Sequence, residues 1–281
     1  MKIMITGGKG MLGRSLQKKL YNHNLVIADI DTVDITNSYA TDIFIKENKP
    51  DIIIHCAAMT NVDACETEID KAYLINSVGS LNIASSCNKI GAKLIAISTD
   101  YVFDGNSSRP YNEYDKPNPM TVYGKSKFAG EEAVRHHCPN HVIIRTAWLY
   151  GLSGQSFVHT MMKLADGSKD EIKVVDDQIG NPTSTNAVSD MIINFINHET
   201  VCGTFHVTCE GETSWYNFAK KIFSIKGVNQ RVIPCTSNEY PRPAKRPKNS
   251  SLDKMNLRLH GFLKMPNWEY CLEEFLKEEK F

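Results

Sequence analysis

The chain has 281 residues, with 32 basic and 32 acidic side chains, no formal net charge and 42% hydrophobic residues. At about 100–200 residues per domain this allows one large domain or two modest ones with a sizeable core, and it excludes a disordered or fibrous chain. Zero net charge gives no general attraction to phosphate backbones or anionic lipid, so neither nucleic acid nor a membrane surface is an expected partner.

The most apolar short run, residues 52–59, is far below the ~18–20 residues a bilayer span needs. The apolar start of the chain is cut off by Gly7 and Gly8 before a signal-peptide apolar region can form. The eight cysteines are scattered without a Cys-x-x-Cys pair, several of them inside apolar stretches. That usage predicts a reduced, cytoplasmic protein.

In chain order, residues 2–6, 25–28, 51–56, 93–98 and 142–145 are rich in Ile, Val and Leu and predict buried strands. Segments of helical period lie between them, at 11–21, 38–47, 70–89 and 121–136. Strands alternating with helices imply right-handed crossovers and a doubly wound, Rossmann-type parallel α/β sheet covered on both faces. The second half is less regular. Residues 154–165 read as helix, 172–175 as extended, 185–197 as helix and 204–207 as a short strand. Residues 214–226 read as a helix capped by Ser214, and a last helix starts near Asn267 with Trp268, Leu272, Phe275 and Leu276 on one face. Four prolines between 233 and 250 predict a loop there. The expected division is a sheet domain of 1–150 plus about 183–210, and a smaller discontinuous region of about 151–182 plus 211–281.

Between the first strand and first helix, Gly7, Gly10 and Gly13 form Gly-x-x-Gly-x-x-Gly. The first glycine suits a tight turn, the second a close approach of pyrophosphate, and the third a helix lying close to the sheet. The helix N-terminus adds free N–H groups and a partial positive charge. Spacing and position together predict a dinucleotide site. Asp29, ending the second strand, is placed to accept hydrogen bonds from adenosine ribose hydroxyls; a solvated turn acid is the plainer reading, and Asp31 and Asp34 compete for the role. Lys9 and Arg14 equally suit a 2′-phosphate, so NADH and NADPH both stay open.

Tyr123 and Lys127 stand four residues apart on a predicted helix, just over one turn, so phenol and ammonium share a face. A neighbouring positive charge should lower the phenol's pKa from its ordinary value near 10 and make it a usable acid. Thr99 falls where the fourth strand leaves the sheet at its carboxyl end, the edge at which open α/β sheets bind ligands.

These residues carry a resemblance. Thr6-Gly-Gly-Lys-Gly-Met-Leu-Gly13, the Thr99–Tyr123–Lys127 set and a separate C-terminal region resemble the extended short-chain dehydrogenases/reductases that act on nucleotide sugars. Within them the chain resembles the dTDP-4-dehydrorhamnose reductase family. The matching stretches are His55-Cys-Ala-Ala-Met-Thr-Asn-Val-Asp63, Ser98-Thr-Asp-Tyr-Val-Phe-Asp-Gly105, Tyr123-Gly-Lys-Ser-Lys127, Arg145-Thr-Ala-Trp-Leu-Tyr-Gly151, Asp177-Gln-Ile-Gly-Asn-Pro-Thr183 and Arg246-Pro-Lys-Asn-Ser-Ser-Leu-Asp253, spread through nearly the whole chain.

The resemblance implies an NADPH- or NADH-dependent reductase of the 4-keto group of a dTDP-6-deoxy-hexulose, most simply dTDP-4-dehydro-L-rhamnose, serving cell-surface polysaccharide synthesis. Gly10, Met11 and Leu12 would contact the pyrophosphate, Ala58, Met59 and Thr60 the nicotinamide ribose side, and Asp34 and Ile35 the adenine. Asn76 would support the Tyr–Lys relay, and Tyr123 and Lys127 would also touch the nicotinamide ribose. Thr99, Asp100 and Trp148 would hold the sugar and Arg246 would face its diphosphate. Sugar dehydratases of the superfamily place Asp-Glu directly after the threonine, whereas Asp100-Tyr101 stands here. A 4-epimerase, which consumes no cofactor, and a non-catalytic nucleotide-binding subunit are the alternative readings. Some of these reductases bind magnesium at a dimer contact through an acid two positions after the last loop glycine; Ser15 stands there, so neither that ion nor that form of homodimer is expected, though a homodimer of another form stays open. His136, His137, Cys138 and His141 read as a surface turn between helix and strand, not a metal site.

Overall fold

The structure, a computed structural model, describes residues 1–165 and 170–279. Its first half alternates as expected: β1 (Lys2–Thr6), α1 (Met11–Lys19), β2 (Asn24–Ala28), α2 (Ser38–Asn48), β3 (Ile52–His55), α3 (Val62–Thr67), α4 (Ile69–Tyr73), one π-helical turn (Leu74–Val78), α5 (Gly79–Lys89), β4 (Lys93–Thr99), α6 (Val122–His137) and β5 (His141–Thr146). Then follow β6 (Leu149–Tyr150), α7 (Phe157–Leu164), β7 (Glu171–Val175), β8 (Ile179–Gly180), β9 (Thr183–Ser184), α8 (Thr185–Asn197), β10 (Gly203–His206), β11 (Thr213–Ser214), α9 (Trp215–Lys226), β12 (Arg231–Cys235), α10 (Met255–Leu259) and α11 (Trp268–Glu278).

Among the described residues the main sheet is six-stranded and parallel, in the order β10-β5-β4-β3-β1-β2. Period-two alternation sends side chains to two cores. Ile3, Ile5, Ile52, Ile54, Ile95, Val142 and Ile144 pack with α1, α8 and the C-terminal elements. Met4, Ile53, Leu94, Ala96 and Ile143 pack with α2, α5 and α6. Burial on both faces explains why the strands read as continuous apolar runs. The chain leaves β1 toward β2 on one side and β3 toward β4 on the other, so strand order reverses between β1 and β3. Their carboxyl ends, Thr6 and His55, are register partners, and the crevice beyond such a switch point is where these sheets take ligands.

Small polar residues start α6, α8 and α9: Thr121 accepts from the Gly124 N–H, Ser184 from Ala187 and Ser214 from Asn217. The helix expected over 70–89 is interrupted by the π turn. The loop expected over 233–250 is partly wrong: Pro234 lies within β12, which among the described residues pairs only with β7. An edge strand tolerates a residue without an N–H. A short 3₁₀ turn, Ser237–Glu239, follows. No described helix is long and apolar enough to cross a membrane.

Ser15 is buried on α1 against α8, donating to Asn186 at 3.3 Å and accepting from Ser189 at 2.9 Å. His136 and His137 end α6, Cys138 caps it, and His141 opens β5 with its ring on the Cys138 carbonyl.

Candidate active site

A cleft of about 1080 Å³ opens at the carboxyl edge of the sheet, as large as sites for sizeable organic ligands become. Gly7 leaves β1 at φ +66°, and a Cβ there would lie 2.7 Å from the Ala57 nitrogen; one on Gly13 would lie 2.5 Å from the Gly7 oxygen. The turn therefore presses against the exit of β3 and α1 folds down over it. Gly10 is the N-cap of α1 and has no side chain to satisfy the first-turn N–H groups. Those donors and the positive helix end fit an anion, and Gly7, Gly10, Met11, Leu12 and Gly13 all line the cleft.

Asp29 lines it too, its carboxylate fixed by the N–H groups of Lys9 at 2.8 Å and Ile30 at 2.9 Å. Asp34, which accepts from both the backbone and hydroxyl of Thr36, and Ile35 form the adjoining wall. Asp31 lies off the wall and pairs with the Lys9 ammonium at 2.6 Å. Arg14 donates to the Lys9 carbonyl and is also off the wall.

Ala58 and Thr60 face the cleft, but two residues of the expected cofactor set do not. The Met59 side chain packs beside Cys65 and Tyr123. Asn76, buried in the π turn, accepts from the Met59 N–H at 2.8 Å and donates to its carbonyl at 3.1 Å and to Ser126 at 3.0 Å. Asn76 thus holds the 58–60 segment as a neighbouring strand would, and ties it to the helix carrying Tyr123 and Lys127. Its effect on the relay runs through that wall.

Thr99, Tyr123 and Lys127 converge on the cleft floor. The Lys127 ammonium donates to the Ile97 carbonyl at 2.7 Å. Burial pulls its pKa down to about 8, while Glu131 and Cys56 pull it back up. The expectation that Lys127 lowers the phenol pKa is not met. Burial pushes Tyr123 well above its ordinary range, the Thr99 hydroxyl opposes that, and the Asp100 charge reinforces it. The ammonium is aimed at Ile97 and the phenol at Thr99 and Asp100. Tyr123 is accordingly a neutral phenol, the protonation state a proton donor requires.

Thr99 donates to Asp100 at 2.9 Å, and burial lifts that carboxyl to about 7. Tyr101, where dehydratases carry an acid, lies edge-on to the Tyr123 ring with centroids 5.5 Å apart. Beneath the floor, Glu131 accepts from Ser98 at 2.6 Å and from Arg145 at 2.9 and 2.8 Å. This paired carboxylate anchors the ends of β4 and β5.

Trp148 lines the far end of the cleft at φ +47°, in the left-handed region. Its indole donates to Ser250 at 3.1 Å and stacks on Trp215 with centroids 3.4 Å apart. A Cβ on Gly180 would lie 2.4 Å from the ring, so only glycine leaves it room. Trp215 also faces the cleft; nothing in the sequence pattern separated it from the core aromatics of its helix. Among the basic residues of the proline-rich 241–248 loop, Arg242 and Arg246 reach the cleft, while Lys245 and Lys248 line a small side pocket of about 120 Å³.

The family model described as the RmlD substrate binding domain matches residues 1–281. The chain is 39% identical over 279 residues to the spore coat polysaccharide biosynthesis protein SpsK of Bacillus subtilis, covering 99% of this chain and 97% of that one. It is 35% identical over 295 residues to the dTDP-4-dehydrorhamnose reductase of Escherichia coli, covering 99% and 98%. A crystal structure of a dTDP-4-dehydrorhamnose reductase from Clostridium acetobutylicum shares 46% identity at a TM-score of 0.96, covering 99% of each chain. One from Bacillus anthracis, solved in complex with NADP, shares 44% at 0.95 with the same coverage. With a full-length family match and relatives this similar along their whole length, the chain belongs to the dTDP-4-dehydrorhamnose reductase family of NAD(P)-dependent oxidoreductases, within the extended short-chain dehydrogenases/reductases.

Proposed function

We propose that the protein reduces the 4-keto group of a dTDP-6-deoxy-hexulose, dTDP-4-dehydro-L-rhamnose to dTDP-L-rhamnose, for surface polysaccharide synthesis. The observation that carries this reading is the convergence of the glycine loop, Thr99, Tyr123 and Lys127 on one cleft. When bound, NADPH or NADH supplies the hydride. The uncapped start of α1 and the bare Gly7 and Gly13 backbone fit its diphosphate, and Asp29 and Asp34 suit the adenosine end. Residues 1–150 with 183–210 form the cofactor half, and 151–182 with 211–281 the sugar half; 166–169 and 280–281 of the latter lie outside the described residues.

Tyr123 gives its phenolic proton to the substrate's carbonyl oxygen as that oxygen gains charge. Lys127, anchored on the Ile97 carbonyl, meets the nicotinamide ribose with its remaining ammonium hydrogens. Thr99 turns its hydroxyl proton from Asp100 toward the carbonyl oxygen. Trp148 and Trp215 form an apolar wall that excludes water from the sugar, and Arg246 meets the diphosphate. Preorganised donors of this kind supply most of the acceleration in such sites.

Turnover of dTDP-4-dehydrorhamnose with each reduced cofactor, followed by absorbance and product NMR, tests the reading. Stoichiometric cofactor consumption supports it; product without consumption indicates an epimerase. Tyr123→Phe should lower kcat about 10²–10⁴-fold while cofactor affinity, read by fluorescence titration, persists. Unchanged turnover in that variant would remove Tyr123 from the chemistry.

A further inference from the structure

Arg246 is held by an unusual partner for an anion-binding residue. Its Nη1 donates to Asp63 Oδ1 and to the Ala244 carbonyl, both at 2.8 Å, and its Nη2 donates to Asp63 Oδ2 at 2.9 Å. Asp63 Oδ1 also accepts the Ala244 N–H at 3.1 Å. One carboxylate in the first turn of α3 therefore fastens both the backbone and the side chain of the proline-rich loop, across 183 positions of sequence. Asp63 and Arg246 both line the cleft.

A guanidinium has five N–H groups in a planar fork. Asp63 takes the end-on pair, one hydrogen from each Nη, and Ala244 takes the second Nη1 hydrogen. The side-on edge, Nε–H with the remaining Nη2–H, has no hydrogen-bond partner among the described residues. That edge offers two parallel donors, the geometry that matches two oxygens of one phosphate.

We infer that Asp63 is a positioning residue for the substrate diphosphate: it grips the end of Arg246 so that the side-on edge is presented to the cleft. The inference rests on the dTDP-sugar reading. A simple charge count argues the opposite, since a carboxylate beside the site should repel a diphosphate. The two accounts therefore predict opposite signs for the loss of Asp63, and the sign decides between them.

The test is calorimetric binding of dTDP and of thymidine to wild type, Asp63→Asn, Asp63→Ala, Arg246→Ala and the Asp63→Ala/Arg246→Ala double variant, with thermal melts of each. The dTDP-to-thymidine affinity ratio isolates the diphosphate contribution, and neither ligand requires turnover. The ratio should fall about tenfold in Asp63→Asn and Asp63→Ala, with NADP⁺ affinity unchanged; one such step is the loss of about one charged hydrogen bond. Arg246→Ala should lower it at least as far, and the double variant no further than Arg246→Ala, because Asp63 acts through that side chain. An unchanged or increased ratio in both folded Asp63 variants would overturn the inference while leaving the reductase reading intact. Wild-type protein that binds dTDP no better than thymidine would overturn both.

Discussion

At the scale of single residues, the charge of Lys127 is set by its surroundings. Burial draws its pKa to about 8 against the opposing pull of Glu131, one turn further along the same helix, and of Cys56. The amine keeps its bond to Ile97 in either state, but only the ammonium offers a positive charge to the bound cofactor. Protonation is complete below that value and lost above it. The kcat/KM for reduced cofactor, which reports the free enzyme, should therefore be level toward neutrality and fall about tenfold per pH unit above pH 8. Glu131→Gln removes the charge that lifts Lys127, so the break should move to lower pH. A profile flat from pH 7 to about 10, or a break moving upward in Glu131→Gln, would contradict this account. Tyr123 cannot produce that limb, since burial holds its phenol far above this range.

Elements place these residues, and α6 does so by close approach. A Cβ on Gly130 would lie 2.3 Å from the Asn76 oxygen, so the helix carrying Tyr123 and Lys127 sits directly on the π turn. Helical glycine costs about 1 kcal/mol relative to alanine, yet Gly130→Ala should destabilise the protein, by about 1–3 kcal/mol in a denaturant melt, because backbone cannot yield as a side-chain tip can. The KM for cofactor should rise with it, since Asn76 holds Met59 and the 58–60 wall. Sequence periodicity reaches this level only in part. The first five strands, the glycine loop and the shared face of Tyr123 and Lys127 are local patterns, legible without the fold. The π turn is not, because one extra residue per turn leaves residues 70–89 looking like continuous helix. Pro234 misleads for a related reason: whether proline interrupts a strand depends on which edge needs its N–H. Asp63 and Arg246, like the Trp148–Trp215 stack, meet only through the tertiary fold. Lys127 on phenol acidity is the instructive failure: helix spacing puts two groups on one face, while burial and the Ile97 carbonyl decide what they do to each other.

The whole molecule adds a dependence on acid that no single element shows. His206 is completely buried where β10, β5, α6 and the 111–113 and 253–256 segments meet. Its Nδ1 faces the carbonyls of Tyr111 and Asp253 at 3.1 and 2.9 Å, which assigns the proton to that nitrogen, and Nε2 faces Arg145 at 3.5 Å. A second proton would sit against the guanidinium. Burial first, then Arg145, lower its pKa to about 3, with Glu131 pulling the other way. In the unfolded chain histidine titrates near 6.5, so between about pH 3 and 6.5 the unfolded state binds the extra proton. The stability His206 contributes is complete above 6.5 and lost as pH falls through that window, at about 1.4 kcal/mol per pH unit. His55, held between Thr6 and Ser80 and lowered to about 3 by burial, acts in the same direction. Asp100 acts in the opposite one: burial raises it to about 7, so protonation favours the fold as pH falls below 7, which offsets about one histidine. The net slope of the wild type is therefore modest, and the difference between proteins is the cleaner measure. Urea unfolding of wild type and His206→Asn, at intervals from pH 5 to 6.5, should give the variant a slope lower by about 1 kcal/mol per pH unit on average, although the variant is less stable at neutral pH. Parallel lines for the two proteins would mean that His206 is already charged in the folded molecule, with its second proton accommodated beside Arg145.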